Sequence, residues 1–530
     1  MKKSIAITFI VLLLTSCTAT PVAPSSGLTF FHLNDTYRVG AVEDGKAGGF
    51  SRVVTLARDA KAEGREVRFL HGGDFLYPSL ESALWNGLQM VDAFNFLNEV
   101  APLYAVAGNH EFDRGGASGL AAAVNASEFV WVGDNYSFTT GDAAADGALQ
   151  KAFIFSHGER RIGVFSLLLH PNDGGAERDF VPTDPAYMDV ARRTIGQLEG
   201  AGVDLIIGIT HLHLRTDMEL ATLKAEHPKF RFIVGGHEHE PQYYSGSASN
   251  AAVMKGASNA RLIWRIDVDF DDAGMPTINE QRIPIDESIE LDPEYEVLAA
   301  KWRERLLDRF PFLEARVGVA AVPMSALEEI IRTTETSWGN FIVDQMRTAF
   351  GDPATDFAFI NSGTLRIDDV IEDDIAFEDI ARTFGFTSFL RHTTLTGAEF
   401  KRVMEAGYRG GPESQGYFPQ ISGFRVCVDP SRAEFARIVS LQVPVDGGWQ
   451  EIEADREYTL VVPDYLFGGG DGYEIPKDRF ASRPASELKY LVLDAILRAQ
   501  GLGEQVGVAV TKENRRFHRL LEPKERCFID

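Results

Sequence analysis

Side chains able to bind a metal ion recur at equivalent places along the first half of the chain. Five short β-branched or aromatic runs each end in glycine or a polar loop that carries one or two of them. They are Asp35, Asp74, Asn109, His211, His237 and His239. Taken singly, Asp or Asn is typical of a helix cap, and His of a core or surface position. Together they form a mixed oxygen and nitrogen ligand set, which suits Zn, Mn or Fe better than Mg or Ca.

The elements that must position these residues follow one pattern. Each strand-like run is followed by a loop and a helical stretch, which predicts α/β layering. Open α/β sheets place their sites beyond the carboxyl ends of the strands, so the ligands are expected at one sheet edge. The strand pattern fades after 265–270. Asp292-Pro293 then predicts a helix start, and Pro311 a stop. We interpret this segment as an interdomain helix; a helix internal to one domain is the alternative.

Composition limits the class of protein. The 530 residues are 45% hydrophobic and 24% charged, which excludes a disordered chain. The 52 Lys and Arg against 77 Asp and Glu give a net charge of −25, which argues against a protein that coats nucleic acid. The length predicts two or three domains. Three Cys exclude a disulfide-stapled scaffold, and Cys427 and Cys527 either pair or remain buried thiols.

The N-terminus is typical of an export signal. Lys2 and Lys3 precede the apolar run 5–14, and Leu14-Thr-Ser-Cys17 resembles the bacterial lipobox. We expect a signal peptide over 1–16, lipidation at Cys17 and a flexible tether over 17–26, which leaves a mature charge of −25 − 2 = −27. The alternative is an ordinary secretory signal with a chance Cys. No other run is long and apolar enough to span a membrane, so we predict an exported periplasmic or cell-surface lipoprotein.

The motifs around these residues resemble a known family. In order, they are similar to those of the calcineurin-like metallophosphoesterases: Asp35, Gly73-Asp74, Gly108-Asn-His-Glu111, Thr210-His211 and Gly236-His-Glu-His239. His32–Asp35 and Gly108–Asp113 narrow the resemblance to the 5′-nucleotidase/UDP-sugar hydrolase family. It implies an α/β fold, with a four-layer αββα metallophosphoesterase sandwich over 27–285, an interdomain helix or linker over 286–330, and a smaller α/β nucleotide-binding domain over 331–530.

The resemblance also implies a dinuclear centre. One metal would bind Asp35, Asp74 and His239, and the other Asp74, Asn109, His211 and His237, with Asp74 bridging. A pair about 3.5–4 Å apart clamps a phosphate and makes a bound hydroxide the nucleophile. His110 would stabilise the developing charge and assist the departing alkoxide, and Asp113 would orient it. The alternative for Asp113 is a helix cap.

One position departs from the family. Members usually have His two residues after the first Asp, where this chain has Tyr37. Tyr77 follows Asp74 in a Gly-Asp-x-x-Tyr pattern similar to that of purple acid phosphatases. We hypothesise that Tyr37 or Tyr77 completes the first site and favours iron or manganese over zinc. Alternatively both tyrosines pack nearby and a water fills the position. The cofactors are two divalent or mixed-valence transition-metal ions among Mn, Zn, Co and Fe.

The second half resembles the family's nucleotide-binding domain. An amphipathic helix is expected from Trp338-Gly-Asn340, and four further segments carry the implied substrate residues: Asn361, Arg366, Arg391, Phe418, Tyr465 and Asp471. Phe418 and Tyr465 would stack on a base, and Asp471 would accept from ribose hydroxyls. Arg366 would bind phosphate through its bidentate fork, with Arg391 a second candidate. The alternative is that the glycines at 468–472 form only a turn and both aromatics are core.

The resemblance implies hydrolysis of nucleoside 5′-monophosphates, and possible additional substrates are other nucleotides and UDP-sugars. Rival hypotheses are a 2′,3′-cyclic-nucleotide phosphodiesterase, a thiosulfohydrolase and a metal-poor nucleotide-binding lipoprotein with little turnover. The retained Asp471 and stacking positions argue against the thiosulfohydrolase, and His110 with Asp113 argues against the pure binder. The expected partners are a small nucleotide substrate and a membrane, which the protein contacts only through its N-terminal lipid. Because the metals and the base pocket are expected in separate domains, a hinge closure is needed to bring the phosphate to the metals.

Overall fold

A computed structural model describes residues 27–113, 116–169, 180–182, 186–351, 355–410, 415–479, 487–521 and 526–528. The predicted signal peptide, Cys17 and the tether up to residue 26 lie outside the described residues. Within those ranges, no helix has the length and apolar character needed to cross a membrane.

The N-terminal unit is built from two mixed sheets and the helices that cover them. Its strands are β1 (Leu28–Leu33), β2 (Glu66–His71), β3 (Leu103–Val106), β4 (Val130–Val132), β5 (Tyr136–Phe138), β6 (Phe153–His157), β7 (Arg160–Leu168), β8 (Phe180–Pro182), β9 (Leu205–His211), β10 (Phe230–Gly235), β11 (Gln242–Tyr244), β12 (Ala252–Lys255), β13 (Leu262–Phe270) and β14 (Pro276–Pro284). Its helices are α1 (Phe50–Ala62), α2 (Leu80–Trp85), α3 (Leu88–Val100), α4 (Gly116–Ala126), α5 (Ala143–Asp146), α6 (Tyr187–Gly200) and α7 (Leu214–Ala221).

The two sheets pack face to face. One has the order β14-β13-β1-β2-β3-β4 and the other β11-β12-β10-β9-β7-β6, with parallel strands in the middle of each. Phe30 and Phe232, one from each sheet, meet edge to face at 6.1 Å in a shared core. The outer faces pack against helices, as Ile206 does in the cluster that contains Ile195 of α6. The predicted αββα sandwich is confirmed.

Parallel pairing aligns the carboxyl ends of the strands. Leu33 of β1 lies opposite His71 of β2, and Thr210 of β9 lies opposite Gly235 of β10. The loops that follow these strands therefore leave the sandwich at the same edge. This is the edge at which the sequence predicts the metal ligands.

A long helix, α8 (Pro293–Arg309), leads away from the sandwich. It begins where Asp292 accepts hydrogen bonds from the backbone N–H groups of Glu294 and Tyr295, as Asp292-Pro293 predicts. Trp302 packs into the core of the N-terminal unit, whereas Leu306 packs in a separate cluster with residues of the following segment. The helix thus contacts both parts of the molecule.

The C-terminal unit is a smaller α/β structure. Its strands are β15 (Arg316–Val319), β16 (Met324–Ser325), β17 (Phe357–Asn361), β18 (Val370–Ile371), β19 (Asp374–Ala376), β20 (Leu390–Thr396), β21 (Pro419–Ser422), β22 (Arg425–Val428), β23 (Ile438–Val445), β24 (Gly448–Glu451), β25 (Glu457–Pro463) and β26 (Phe517–Arg519). Its helices are α9 (Glu328–Ile331), α10 (Ser337–Thr348), α11 (Phe377–Thr383), α12 (Gly397–Gly407), α13 (Asp464–Phe467) and α14 (Leu488–Leu502).

Two four-stranded sheets organise this unit, in the orders β20-β25-β17-β21 and β24-β23-β22-β26. Helix α10 is the amphipathic helix expected from Trp338-Gly-Asn340, and Thr336 caps it by accepting from the N–H of Gly339. Cys427 of β22 and Cys527 form a disulfide between residues 100 apart in sequence, which settles the pairing that the sequence leaves open. The predicted α/β class of this unit is confirmed.

Candidate metal centre

The ligand loops turn sharply where they leave the strands. Asp35 follows β1, Asp74 follows β2 and His237 follows β10, and these three residues have φ of 52°, 61° and 83°. A left-handed backbone is uncommon for residues other than glycine. It directs consecutive side chains and N–H groups into the same small space, as the backbone N–H of His237 shows by donating to Asp35 Oδ2 at 2.9 Å.

The carboxylates and imidazoles form one buried cluster. Ligand atoms of Asp35, Asp74 and His211 lie within 4.8 Å of one another. His211 Nε2 is 3.3 Å from Asp74 Oδ2 and 3.1 Å from Asn109 Oδ1. Asp74 and Asn109 therefore reach the same imidazole from two different loops.

The two remaining histidines complete this cluster. His237 Nδ1 lies 3.3 Å from Asn109 Oδ1, and His239 Nε2 lies 3.3 Å from Asp35 Oδ1. The six side chains that the sequence identifies as ligands thus all contact another member of the set.

The donor set fits metal ions. His211 Nδ1 hydrogen-bonds the carbonyl of Gly72 at 2.6 Å, so its Nε2 presents a lone pair to Asn109 Oδ1 and Asp74. The lone pairs of His211 Nε2, Asn109 Oδ1 and the Asp74 carboxylate repel one another at about 3 Å, and a cation bound between them removes this repulsion. Burial disfavours a charged imidazole, yet the Asp74 and Asp35 carboxylates raise the pKa of His211 to about 9, so the cluster attracts positive charge. Carboxylate, amide and imidazole ligands suit transition metals.

The structure separates the two candidate tyrosines. The Tyr37 hydroxyl lies 3.2 Å from His239 Nε2 and 3.4 Å from Asp35 Oδ1, inside the cluster. Burial, reinforced by the nearby carboxylates, raises the pKa of Tyr37 well above its ordinary value. The Tyr77 hydroxyl instead donates to Asn86 Oδ1 at 3.3 Å. Tyr77 is therefore a packed residue with its own partner, and the hypothesis that it is a ligand is not supported.

His110 lies beside the cluster in a defined orientation. Its Nδ1 is 2.5 Å from Asp113 Oδ2, and its backbone N–H donates to Asp74 Oδ1 at 2.8 Å. Burial would lower the pKa of His110, but the charges of Asp113 and Asp74 overcome it and raise the pKa. His110 Nε2 faces Arg366 Nη2 of the C-terminal unit at 3.0 Å. With Nδ1–H donating to Asp113, a neutral His110 accepts from that guanidinium through Nε2.

Sequence reasoning missed the role of Glu111. Its buried carboxylate accepts from the backbone N–H groups of Phe75 and Leu76 at 2.7 and 3.0 Å, and from those of Asp74 and Gly108. Burial, with the charge of Asp74, raises the pKa of Glu111 to about 7. It therefore fixes the loop that carries Asp74. Its place inside the Gly108–Asp113 motif was the available signal.

A second polar group lies in the C-terminal unit. Asp471 accepts from Asn361 Nδ2 and from the Tyr465 hydroxyl, each at 2.8 Å. Tyr465 is 54% exposed, so its ring is open to a ligand. Arg409, which the sequence analysis does not single out, donates to the backbone carbonyl of Asp471 at 2.9 Å and lies over the Tyr417 ring at 3.6 Å.

Two predicted substrate residues are placed differently. Phe418 is 4% exposed and packs edge to face on Phe517 at 5.0 Å, in the core beneath β21. Since its ring is covered by other aromatics, the expectation that Phe418 offers a stacking face is wrong for this arrangement. Arg391 lies within β20, opposite Val462.

A four-layer sandwich with Asp, Asn and His side chains at the carboxyl ends of its strands defines a metal-dependent phosphoesterase. Sequence comparison agrees, since residues 28–241 match the calcineurin-like phosphoesterase family and residues 316–478 match the 5′-nucleotidase C-terminal domain. The chain belongs to the metallophosphatases that combine these two domains.

Relatives and solved structures are similar over most of the chain. A trifunctional nucleotide phosphoesterase protein (YfkN) of Bacillus subtilis is 25% identical over 86% of this chain, although the chain spans only 33% of that protein. The 5′-nucleotidase of Mus musculus is 23% identical over 88% of this chain and 87% of its own.

Among solved structures, a 5′-nucleotidase precursor from Thermus thermophilus has a TM-score of 0.78 at 22% identity, covering 94% of this chain and 100% of its own. A sulfate thiohydrolase from the same species has a TM-score of 0.73 at 14% identity, covering 96% and 99%. These likenesses show the fold.

Proposed function

We propose that the chain hydrolyses nucleoside 5′-monophosphates to nucleoside and phosphate, with other nucleotides or UDP-sugars as further substrates. The observation that carries the proposal is the convergence of Arg366 and His110 from the two units beside the metal cluster. A guanidinium suits a phosphate, and a protonated imidazole suits an alkoxide that leaves with a proton. Neither unit alone has both groups.

The charged residues of the cleft match a phosphate ester. The Arg366 side chain is buried, with its guanidinium 5.6 Å from the Tyr37 ring and 5.5 Å from the Phe386 ring. Such packing holds the planar fork in one direction and keeps water from it. Arg366 therefore binds and orients phosphoryl oxygens, and it offsets the negative charge that Asp35 and Asp74 bring to the cleft.

His110 is the proton-handling group. Asp113 accepts from Nδ1–H, which fixes the tautomer and leaves Nε2 facing the cleft. When His110 is protonated, which its raised pKa favours, Nε2–H can deliver a proton to the departing ribose oxygen, and Asp113 stabilises the charged imidazole. When bound by Asp35, Asp74, Asn109 and the three histidines, two transition-metal ions neutralise phosphate charge and activate water.

Asp471 and Tyr465 account for selection of a nucleoside. Asp471 already accepts two hydrogen bonds, from Asn361 and Tyr465, and retains lone pairs for ribose hydroxyls. Tyr465 offers an exposed ring on which a base can stack. The partly exposed Tyr417 under Arg409 is the aromatic we propose for the opposite side, in place of Phe418.

We propose that Tyr37, which stands where family members have His, changes the metal preference of the first site. Its hydroxyl approaches His239 Nε2 and two carboxylate oxygens. A phenolic oxygen is a harder ligand than imidazole, so iron or manganese is favoured over zinc at the first site. Iron-loaded protein with a tyrosinate charge-transfer band that Tyr37→Phe abolishes supports this, and metal content unaffected by Tyr37→Phe contradicts it.

The experiment that tests the function compares substrates under defined metals. The mature protein, loaded in turn with Mn, Zn, Co or Fe, receives AMP, 2′,3′-cyclic AMP, UDP-glucose or thiosulfate. Phosphate release from AMP that chelator and His110→Ala abolish supports the proposal. His157→Ala is the matched control, because His157 lies on β6 outside the cluster and pairs with Glu66 of β2. Turnover of the cyclic nucleotide or thiosulfate alone, or nucleotide binding without turnover, contradicts it.

We further propose that the protein is exported and anchored by lipid at Cys17. The lipobox-like Leu14–Cys17 supports this, and so does the Cys427–Cys527 disulfide, since disulfides persist in oxidising compartments. Labelled palmitate should enter the wild type but not Cys17→Ala, which should leave the membrane fraction. Retention of Cys17→Ala with membranes contradicts the anchor.

A further inference from the structure

One metal-ligating histidine of the N-terminal unit has its partner in the C-terminal unit. His239 Nδ1 hydrogen-bonds Glu328 Oε2, across 89 residues of sequence. His239 Nε2 points the other way, to Asp35 Oδ1 and the Tyr37 hydroxyl. A carboxylate on Nδ1–H fixes the tautomer in which Nε2 carries the lone pair and makes that nitrogen a stronger ligand.

Glu328 is held firmly in this position. Its other oxygen, Oε1, accepts from Arg332 Nη2 at 2.7 Å and lies 3.5 Å from Arg366 Nη1. Its side chain is only 5% exposed. The carboxylate is thus shared between a ligand of the metal cluster and the arginine that we assign to phosphate. A buried carboxylate with this many charged partners cannot reorient without leaving one of them unpaired.

The backbone of Glu328 is tied to the N-terminal unit as well. Its N–H donates to Asp368 Oδ1 at 3.0 Å, and the other oxygen of Asp368 accepts from Ser258 and Asn259, each at 3.0 Å. Ser258 N–H in turn donates to the carbonyl of His239 at 2.8 Å. The same loop therefore aligns His239 and the carboxylate that faces it.

We propose that Glu328 is a positioning residue for His239, so that contact between the two units sets the metal affinity of the Asp35–His239 side of the centre. When the units are apposed, the Glu328 carboxylate orients the imidazole and strengthens it as a ligand. When they separate, His239 loses that partner and the ion at this side is held less tightly. The inference rests on the metal site proposed above and not on the identity of the substrate.

The test measures metal binding without nucleotide, by titrating metal-free protein with Mn²⁺ or Zn²⁺ against a chromophoric chelator. Glu328→Ala should weaken one of the two metal equivalents about 10–100-fold and leave the other unchanged. Glu328→Gln keeps an acceptor but removes the charge. Its loss of metal affinity should therefore be smaller than that of Glu328→Ala, but greater than threefold. Full retention of both affinities in Glu328→Ala overturns the proposal, and if that variant does not fold, the threefold limit for Glu328→Gln decides.

Two matched controls separate positioning from general damage. Glu329→Gln removes the same charge from the adjacent, exposed residue and should bind both metals normally. Arg382→Gln breaks another contact between the units, with Glu81, but keeps Glu328 against His239, so it should lower the unfolding temperature and weaken metal binding much less than Glu328→Ala does. If Arg382→Gln loses as much metal affinity as Glu328→Ala, the proposal is also overturned. Because no substrate is present, failure of nucleotide hydrolysis leaves this result interpretable.

Discussion

Arg366 Nη2 lies 3.0 Å from His110 Nε2, although 256 residues separate them in sequence. The two groups come from different units and have different chemistry, one a permanent cation and the other a proton carrier. Their contact defines where a phosphate and its leaving oxygen must sit. The centre is therefore a property of the apposed units, and variants in either unit report on the same reaction.

Arg366→Lys should lower kcat/KM for AMP about 10–100-fold, because an ammonium cannot reproduce the bidentate fork. This loss corresponds to about 1.4–2.7 kcal/mol, similar to the contribution of hydrogen bonds to charged groups. Steady-state kinetics measure it. Arg456→Lys is the control, since its exposed side chain pairs only peripherally with Glu453. An Arg366→Lys enzyme with wild-type kcat/KM excludes the phosphate role.

Asp113→Asn should lower kcat by about 100-fold or more with little change in KM, because the amide lacks the charge that fixes the His110 tautomer and stabilises its protonated form. Single-turnover rates with AMP are the measurement. Asp142→Asn removes a carboxylate that caps a surface helix and should leave the rate unchanged. If Asp113→Asn merely lowered the unfolding temperature, Asp113 would act only as a cap.

Tyr465→Ala should raise the KM for AMP about 5–100-fold, since base stacking contributes about 1–3 kcal/mol. The same variant should hydrolyse p-nitrophenyl phosphate at the wild-type rate, as that ester has no nucleobase. Tyr465→Phe should keep most of the affinity. Tyr490→Ala removes a ring of equal exposure on α14 and is the control. Equal losses for both substrates would show that Tyr465 is structural.

Glu378 should make the protein acid-sensitive in a defined window. Burial alone would raise the pKa of Glu378, but hydrogen bonds and charge from Arg303 and Arg382 lower it to about 2. The stabilisation is therefore complete above the ordinary carboxyl pKa of 4.5 and disappears as the pH falls toward 2. Glu378→Gln should lose up to about 3 kcal/mol of unfolding free energy at pH 7.

Urea unfolding at pH 7, 5 and 3.5 measures the difference between wild type and Glu378→Gln, which should shrink steadily with acidification. Glu457→Gln is the control because Glu457 is exposed on β25. A difference between wild type and Glu378→Gln that stays constant with pH would show that packing, and not charge, accounts for the loss.

Reduction of the Cys427–Cys527 disulfide should destabilise the protein by about 2–5 kcal/mol, because the bond restricts the unfolded chain. Denaturant unfolding with and without dithiothreitol measures the change. The double variant Cys427→Ser, Cys527→Ser should match the reduced wild type and should not respond to the reductant. A response in the double variant would assign the effect to something other than this bond.

Much of the fold and the ligand set follows from local patterns. Strand-like runs that end in ligands predict α/β layering with the ligands at one sheet edge, because parallel pairing brings strand ends together, whereas the αββα sandwich follows from the family resemblance. Asp292-Pro293 predicted the start of α8, since an Asp cap followed by proline is a local signal. The structure brings together all six side chains assigned to the metals.

The remaining features depend on contacts that no local pattern encodes. Glu328 reaches His239 only through the apposition of two units, and Arg409 reaches Asp471 across 62 residues. The family resemblance places Phe418 against a base, whereas its burial depends on Phe517, which lies 99 residues further along. The position of Tyr77 also depends on a contact that its motif does not encode, since its hydroxyl donates to Asn86, nine residues further along.

The left-handed backbone at Asp35, Asp74 and His237 makes the metal centre a weak point of the fold. Each such residue costs on the order of 1 kcal/mol relative to glycine, and the cost is present whether or not metal is bound. Selection for thermal resistance alone would favour glycine at these three positions, and selection for turnover forbids it. At these three residues, the change that would raise thermal stability would therefore remove a metal ligand.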